Sequence, residues 1–90
     1  MVSYEHLKET IIKNYDKKFD FFANDKFLGI FVSCRDIYFL IKFLKNHKQL
    51  LFNQLIDITA IDYLTREARF EIIYILLSLS LNKRILVKTS

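Results

Sequence analysis

The chain has 90 residues, a formal net charge of +4 and a hydrophobic content of 52%, with nine phenylalanines and five tyrosines. A chain of this length forms one domain and buries only a little over half of the surface that it exposes when unfolded. The sequence therefore predicts a single domain over residues 1–90, with some apolar side chains left over for contact with a partner.

The composition also excludes several kinds of site. Cys34 is the single cysteine, so this chain builds neither a disulfide nor an iron–sulfur cluster. His6 and His47 stand apart from any metal-binding pattern, and one glycine, Gly29, is too few for a loop that holds nucleotide phosphates. We therefore expect this chain to bind no cofactor and no metal. The longest apolar run, 72–81, is about half as long as a membrane-spanning helix, which predicts a protein at most peripheral to a membrane.

The first predicted element is a helix that begins after Ser3, a residue type that caps helices. We expect it to end near residues 16–18. Its acidic residues Glu5 and Glu9 are unlike those of an Arg-rich targeting presequence, so we expect the protein to act in the compartment where it is made. Its apolar positions recur at helical spacing, at Leu7, Ile11, Ile12 and Tyr15.

A β-hairpin is predicted next. Two apolar segments, 19–23 and 27–33, flank the polar turn 24–26, a spacing that is typical of a hairpin. Gly29 lies inside the second segment, where it indicates a bulge or a close approach of two backbones.

A second helix is predicted over 35–48, where Ser33 and Asp36 have the spacing of a capping box. Tyr38, Phe39 and Phe43 lie beside its core stripe, so the helix is apolar nearly all round. Such a helix is either deeply buried or covered by a partner, which makes these three aromatic residues candidates for an interface. The core stripe itself is expected to be Ile37, Leu40, Ile41 and Leu44.

Three strands are predicted after this helix, at 51–63, 69–81 and 84–89. In the first of them, alternation places Ile56, Ile58 and Ala60 on one face and Leu55 with Asp57 on the other. The second strand is apolar on both faces, which is typical of a central strand. The order α-β-β-α-β-β-β predicts a two-layer α+β domain with the helices packed on one face of a mixed five-stranded sheet.

Asp57 and Asp62 are the carboxylates that invite an acid–base or metal role. Because they are five residues apart on one strand, alternation places them on opposite faces of the sheet. We therefore expect Asp57 to accept a hydrogen bond from the backbone or from an arginine, and the sequence indicates no catalytic residue.

A charged cluster follows Tyr63, with Arg66 and Glu67 in the turn and Arg69 and Glu71 at the start of the next strand. The ordinary interpretation is a hairpin turn with solvated side chains. The alternative is a docking surface, since arginine binds carboxylates through two parallel hydrogen bonds and is common at interfaces. Tyr63, Arg66, Glu67 and Arg69 therefore join Tyr38, Phe39 and Phe43 as the candidate interface.

The last three predicted strands also carry a long run of residues at fixed spacing. The run resembles the signature in the N-terminal half of the 30 kDa subunit family of respiratory complex I, also called the C subunit of NADH–quinone oxidoreductase. The resemblance covers about 27–89. The residues that carry it are Leu55, Asp57, Thr59, Ala60, Asp62, Tyr63, Arg66, Arg69, Phe70, Glu71, Tyr74, Leu76, Leu77, Ser78, Leu79, Asn82, Arg84, Ile85, Val87 and Lys88.

The resemblance implies a non-catalytic scaffold and assembly subunit of the peripheral arm of NADH–quinone oxidoreductase, and the same two-layer architecture. It implies that NADH, flavin, iron–sulfur clusters and quinone are bound elsewhere in the assembled complex. The implied partners are other complex I subunits, chiefly the large subunit of the quinone site. The implied location is the matrix side of the mitochondrial inner membrane or the cytoplasmic side of a bacterial inner membrane.

Three features depart from the family pattern. Leu64 stands where the family often has proline, Ile75 replaces a commonly polar residue, and the chain stops at Ser90 although the family continues. We expect residues 1–90 to be either a fragment or one product of a split gene.

The alternative from another class is a small independent basic α+β module that binds, for example, nucleic acid. Proteins that bind nucleic acid usually concentrate their positive charge on one face. Here lysine and arginine are spread along the chain and mixed with acidic residues, which argues for a solvated surface and against direct contact with nucleic acid.

Overall fold

The computed structural model describes residues 3–15, 19–62 and 70–89. Within them, five strands form one sheet in the order β1-β2-β5-β4-β3, in which β2 and β5 are parallel and the other neighbours are antiparallel. The predicted two-layer α+β order and the mixed five-stranded sheet are confirmed. The elements are α1 (Tyr4–Asn14), β1 (Asp20–Ala23), β2 (Leu28–Phe31), α2 (Ile37–Asn46), β3 (Gln54–Asp62), β4 (Phe70–Ser78) and β5 (Lys83–Thr89).

Both helices pack on the same face of the sheet, called the helix face below; the opposite side is the open face. On the helix face Leu28 pairs with Ile85 and Ile30 with Val87, and all four side chains are fully buried. Each such side chain contributes about 1.5–3 kcal/mol of transfer free energy. The core is completed by Leu7 and Ile11 of α1, Leu40 and Leu44 of α2, and Leu50 and Phe52 of the connection to β3.

The start of α1 is held by two hydrogen bonds. The predicted cap is confirmed, because the Ser3 hydroxyl accepts the amide of His6 at 3.1 Å. The hydroxyl of Tyr4 accepts a hydrogen bond from the amide of Arg84 at 3.0 Å and ties the helix to the start of β5. The helix ends at Asn14, earlier than predicted, and Ile12 is 53% exposed, so this side chain does not belong to the core.

The helix α2 begins at Ile37, two residues later than predicted. The hydroxyl of Ser33 donates to Oδ2 of Asp36 at 3.0 Å, and the Asp36 amide donates to the Ser33 carbonyl at 3.0 Å. The two side chains thus bond to each other, and Asp36 makes no side-chain hydrogen bond to a helix amide. The predicted capping box is therefore replaced by a turn that precedes the helix.

The β1–β2 hairpin is confirmed, with the Asn24 side chain at its turn. Asn24 Oδ1 accepts the amides of Lys26 and Phe27 at 2.8 and 2.9 Å. Gly29 pairs regularly with Phe22, and a Cβ added to it would lie 3.5 Å from the Phe22 carbonyl oxygen, an ordinary contact. Neither a bulge nor a close backbone approach explains this glycine, so that prediction is wrong.

The strand β3 carries a shift in its pairing with β4 between Leu55 and Asp57. Leu55 pairs with Leu76, which lies on the helix face, whereas Asp57 pairs with Ile75 on the open face. The prediction that Leu55 and Asp57 share a face is therefore wrong, because the extra residue Ile56 interrupts the alternation. The central position predicted for β4 is confirmed, since it lies between β5 and β3.

Candidate functional site: an interface surface

The outer side of α2 carries two aromatic side chains in solvent. Tyr38 is 65% and Phe39 60% exposed, and their rings meet edge to face with centroids 5.3 Å apart. Phe43 is half-buried, with its ring 4.8 Å from that of Tyr15 at the end of α1. The structure thus places Tyr38 and Phe39 where a partner could reach them and gives Phe43 a packing role between the helices.

The other predicted interface residues form the charged cluster between β3 and β4. Tyr63, Arg66, Glu67 and Arg69 lie outside the described residues. Their part in an interface stays a prediction.

A larger exposed surface lies on β3 and the start of β4, where the sequence analysis named no candidate. Leu55 and Ile58 are each 53% exposed, Ile56 48% and Phe70 57%. Alternation along a strand tells which side chains share a face, but not whether a second layer covers that face. The number of predicted elements was the signal that part of the sheet would be uncovered. Five strands span about 24 Å at their usual spacing, whereas two helices cover only about 20 Å.

The uncovered strip of the helix face forms a ledge beside α2. We define the ledge by Ile37, Tyr38 and Ile41, which form its wall, and by Tyr74 and Ile58, which form its floor. Tyr74 and the α2 residues line a groove of about 520 Å³. Ile58 pairs directly with Tyr74 across the two strands, so the apolar floor continues from the groove to the outer strand.

Positive charge lines the rim of this ledge. Lys42 and Lys45 are exposed, three residues apart on α2, and both border the groove. Lys42 Nζ lies 6.0 Å from the centre of the Tyr38 ring, and among the described residues neither lysine forms an ion pair. Asp62 is on the same sheet face as Ile58, but four residues further along β3, which is about 13 Å at the usual rise.

The open face of the sheet is also apolar, and it carries an ion pair between Lys88 and Glu71. Phe22 and Phe31 are 54% and 42% exposed. The Lys88 amine lies 3.6 Å from the Glu71 carboxylate and 5.1 Å from the centre of the Phe31 ring. Half-buried aliphatic side chains fill the middle of this face: Ile73, Ile75, Leu77 and Leu86.

The two aspartates of β3 do not cooperate. Pairing is regular from Asp57 to Asp62, so the carboxylates lie on opposite faces as predicted. Asp57 Oδ1 accepts the amide of Ile58 at 2.8 Å, which confirms the expected backbone partner. Over the described ranges 3–15, 19–62 and 70–89, no group of three His, Cys, Asp or Glu side chains could hold a metal ion.

In the part of the chain that the structure describes, neither helix has the length and apolar character needed to cross a membrane. The longer of them, α1, has 11 residues, whereas a span takes about 20.

Comparison with known proteins places residues 30–90 within one family model, described as the 30 kDa subunit of respiratory-chain NADH dehydrogenase. The matched range agrees with the segment in which the sequence resemblance was found. It includes β3, β4 and β5, the whole of α2, and the ledge between them.

Individual relatives agree with this match. The chain is 39% identical over 94% of its length to NADH-ubiquinone oxidoreductase subunit 9 of Reclinomonas americana. It is 48% identical over 70% of its length to the C subunit of NADH-quinone oxidoreductase from Chelativorans sp. (strain BNC1). The matched segments make up 44% and 32% of those two proteins, so the chain spans less than half the length of these relatives.

Proposed function

The chain belongs to the family of the 30 kDa subunit of respiratory-chain NADH dehydrogenase, and from this membership we propose that it is a non-catalytic scaffold and assembly subunit of NADH–quinone oxidoreductase. In this role it supports electron transfer from NADH to quinone by holding neighbouring subunits in place. Flavin, iron–sulfur clusters and quinone are bound by other subunits. The observation that carries the proposal is the family match over residues 30–90.

The exposed apolar surface of the described residues supports a role in assembly. Tyr38, Phe39, Ile58 and Phe70 are each more than half exposed. Large exposed apolar patches on small proteins mark interaction sites, and aromatic residues are enriched in the buried centres of interfaces. The proposed partners are other subunits of the complex, chiefly the large subunit of the quinone site.

The proposed location follows from the same membership. We place the chain in the peripheral arm, on the matrix side of a mitochondrial inner membrane or the cytoplasmic side of a bacterial one. In this location it contacts subunits of the complex and not the lipid.

The test is affinity purification of the tagged chain from native membranes in mild detergent, followed by mass spectrometry. We expect the quinone-site and cluster-bearing subunits of the complex to co-purify in fixed ratio and to remain bound at moderate salt. An untagged preparation carried through the same steps is the control. Recovery of the chain without respiratory subunits, with nucleic acid released by salt, would contradict the proposal and favour the basic binding module.

A further inference from the structure

The ledge has the width of one helix. Two helices occupy the helix face over β1, β2, β5 and part of β4, and the outer strand β3 is exposed on that face. Neighbouring strands are about 4.8 Å apart and a helix is about 10 Å across. One further helix therefore fits beside α2, with its axis above the space between β3 and β4.

The chemistry of the ledge specifies what such a helix must carry. Its floor and wall are apolar, so the bound side of the helix needs a stripe of apolar residues. Lys42 and Lys45 line the rim without an ion-pair partner among the described residues. Since they are three residues apart on α2, their amines lie on one side of that helix and meet carboxylates at similar spacing on an adjacent helix.

We propose that the ledge binds one amphipathic helix of a partner polypeptide, with its apolar stripe on Ile58 and Tyr74 and its carboxylates against Lys42 and Lys45. This proposal rests on the proposed function, because it supposes that the chain works as part of an assembly. It adds the place of contact, the secondary structure of the partner segment and the sign of its charge.

A second copy of this chain is a poorer occupant than an acidic helix. In a two-fold dimer built on the ledge, the ledges of the two copies face each other, and both rims carry the same two lysines. Like charges brought together in this way oppose association. An acidic helix instead brings carboxylates to the two lysines, so that the charges at the rim attract.

The test uses a helical peptide of about 18 residues, long enough to hold its structure, with a leucine stripe and glutamates along one flank. A matched peptide has lysine at each glutamate position. Binding of both peptides to the chain is measured by fluorescence anisotropy. The charge variant is Lys42→Glu/Lys45→Glu, and its matched control is Lys13→Glu/Lys26→Glu, which changes the net charge equally at two other exposed lysines.

We expect the glutamate peptide to bind the unaltered chain and the control variant alike. The Lys42→Glu/Lys45→Glu variant should bind it at least about tenfold more weakly and should gain affinity for the lysine peptide. Ile58→Ser should weaken binding of the glutamate peptide without changing the circular dichroism of the chain, because Ile58 is 53% exposed.

Equal binding of the two peptides, or equal loss in the charge variant and its control, would overturn the proposal. Dimerisation of the chain in sedimentation that Ile58→Ser abolishes would also overturn it, in favour of a second copy on the ledge. These outcomes can be distinguished from failure of the proposed function. If respiratory subunits co-purify with the chain but the two peptides bind equally well, the proposed function stands and the ledge is rejected as a site for an acidic helix.

Discussion

The β5 side and the β3 side of the helix face carry similar aliphatic residues, but helices cover only the β5 side. On β5, Ile85 and Val87 are fully buried beneath the helices. On β3, Leu55 and Ile58 face the same way but are each 53% exposed. A branched aliphatic residue in a strand is therefore core or surface according to whether a helix lies above it. The covered side carries the stability of the chain, and the uncovered side leaves its apolar side chains exposed.

The largest expected effect tests the covered side. Leu40→Ala removes a side chain that is fully buried between α2 and the sheet. We expect the free energy of unfolding to fall by about 2–5 kcal/mol, because the deletion loses transfer free energy and leaves a cavity. Urea unfolding followed by circular dichroism measures it. A loss below about 1 kcal/mol would show that the helix layer does not hold the core.

A smaller loss is expected where a buried hydroxyl joins the two layers. Ser78 is fully buried, and its hydroxyl donates to the Leu50 carbonyl at 2.7 Å. Ser78→Ala leaves that carbonyl without its partner, which should cost about 1–3 kcal/mol in the same urea experiment. Cys34→Ala is the control, since the Cys34 side chain is exposed and its removal should change stability by less than about 0.5 kcal/mol.

The next effect concerns the attachment of α1. Tyr4→Phe removes the hydroxyl that accepts the Arg84 amide at 3.0 Å but keeps the buried ring. We expect a loss of about 0.5–1.5 kcal/mol. Tyr38→Phe is the matched control on the exposed side of α2, where the unfolding midpoint should stay unchanged. Equal effects at the two tyrosines would mean that the hydrogen bond between Tyr4 and Arg84 adds nothing to stability.

The smallest effect is expected on the uncovered side. Ile58→Ser exchanges an aliphatic for a polar residue at a 53% exposed position, and the free energy of unfolding of the isolated chain should change by about 0.5 kcal/mol or less. A loss as large as that of Leu40→Ala would contradict the comparison, because Ile58 would then belong to the core.

Local features of the fold could be predicted from the sequence, and long-range ones could not. The Ser3 cap and the Asn24 turn depend on contacts within three residues of the chain, so the local pattern contains them. The sheet order could not be derived in this way, because β5 pairs in parallel with β2 across more than fifty residues. The shift at Ile56 was missed since nothing in an alternating pattern marks an extra residue.

The exposure of two residues of the candidate interface could be predicted from the sequence. A helix that is apolar on nearly all sides needs more cover than a small domain provides, and Tyr38 and Phe39 are indeed exposed. Their role in an interface stays a prediction. The sequence did not single out Ile58, Lys42 and Lys45. These residues form the ledge only because α2 leaves β3 uncovered, and this arrangement is set by tertiary packing.

The irregular pairing at Ile56 has a consequence for the solubility of the chain. Among the described residues β3 is an outermost strand of the sheet, nine residues long and rich in isoleucine. A straight apolar edge of this kind is a template on which further strands add and aggregates grow. The extra residue bends the strand and breaks its row of amide and carbonyl groups. The edge is thereby made a poor template for β-aggregation, while its side chains stay open to recognition.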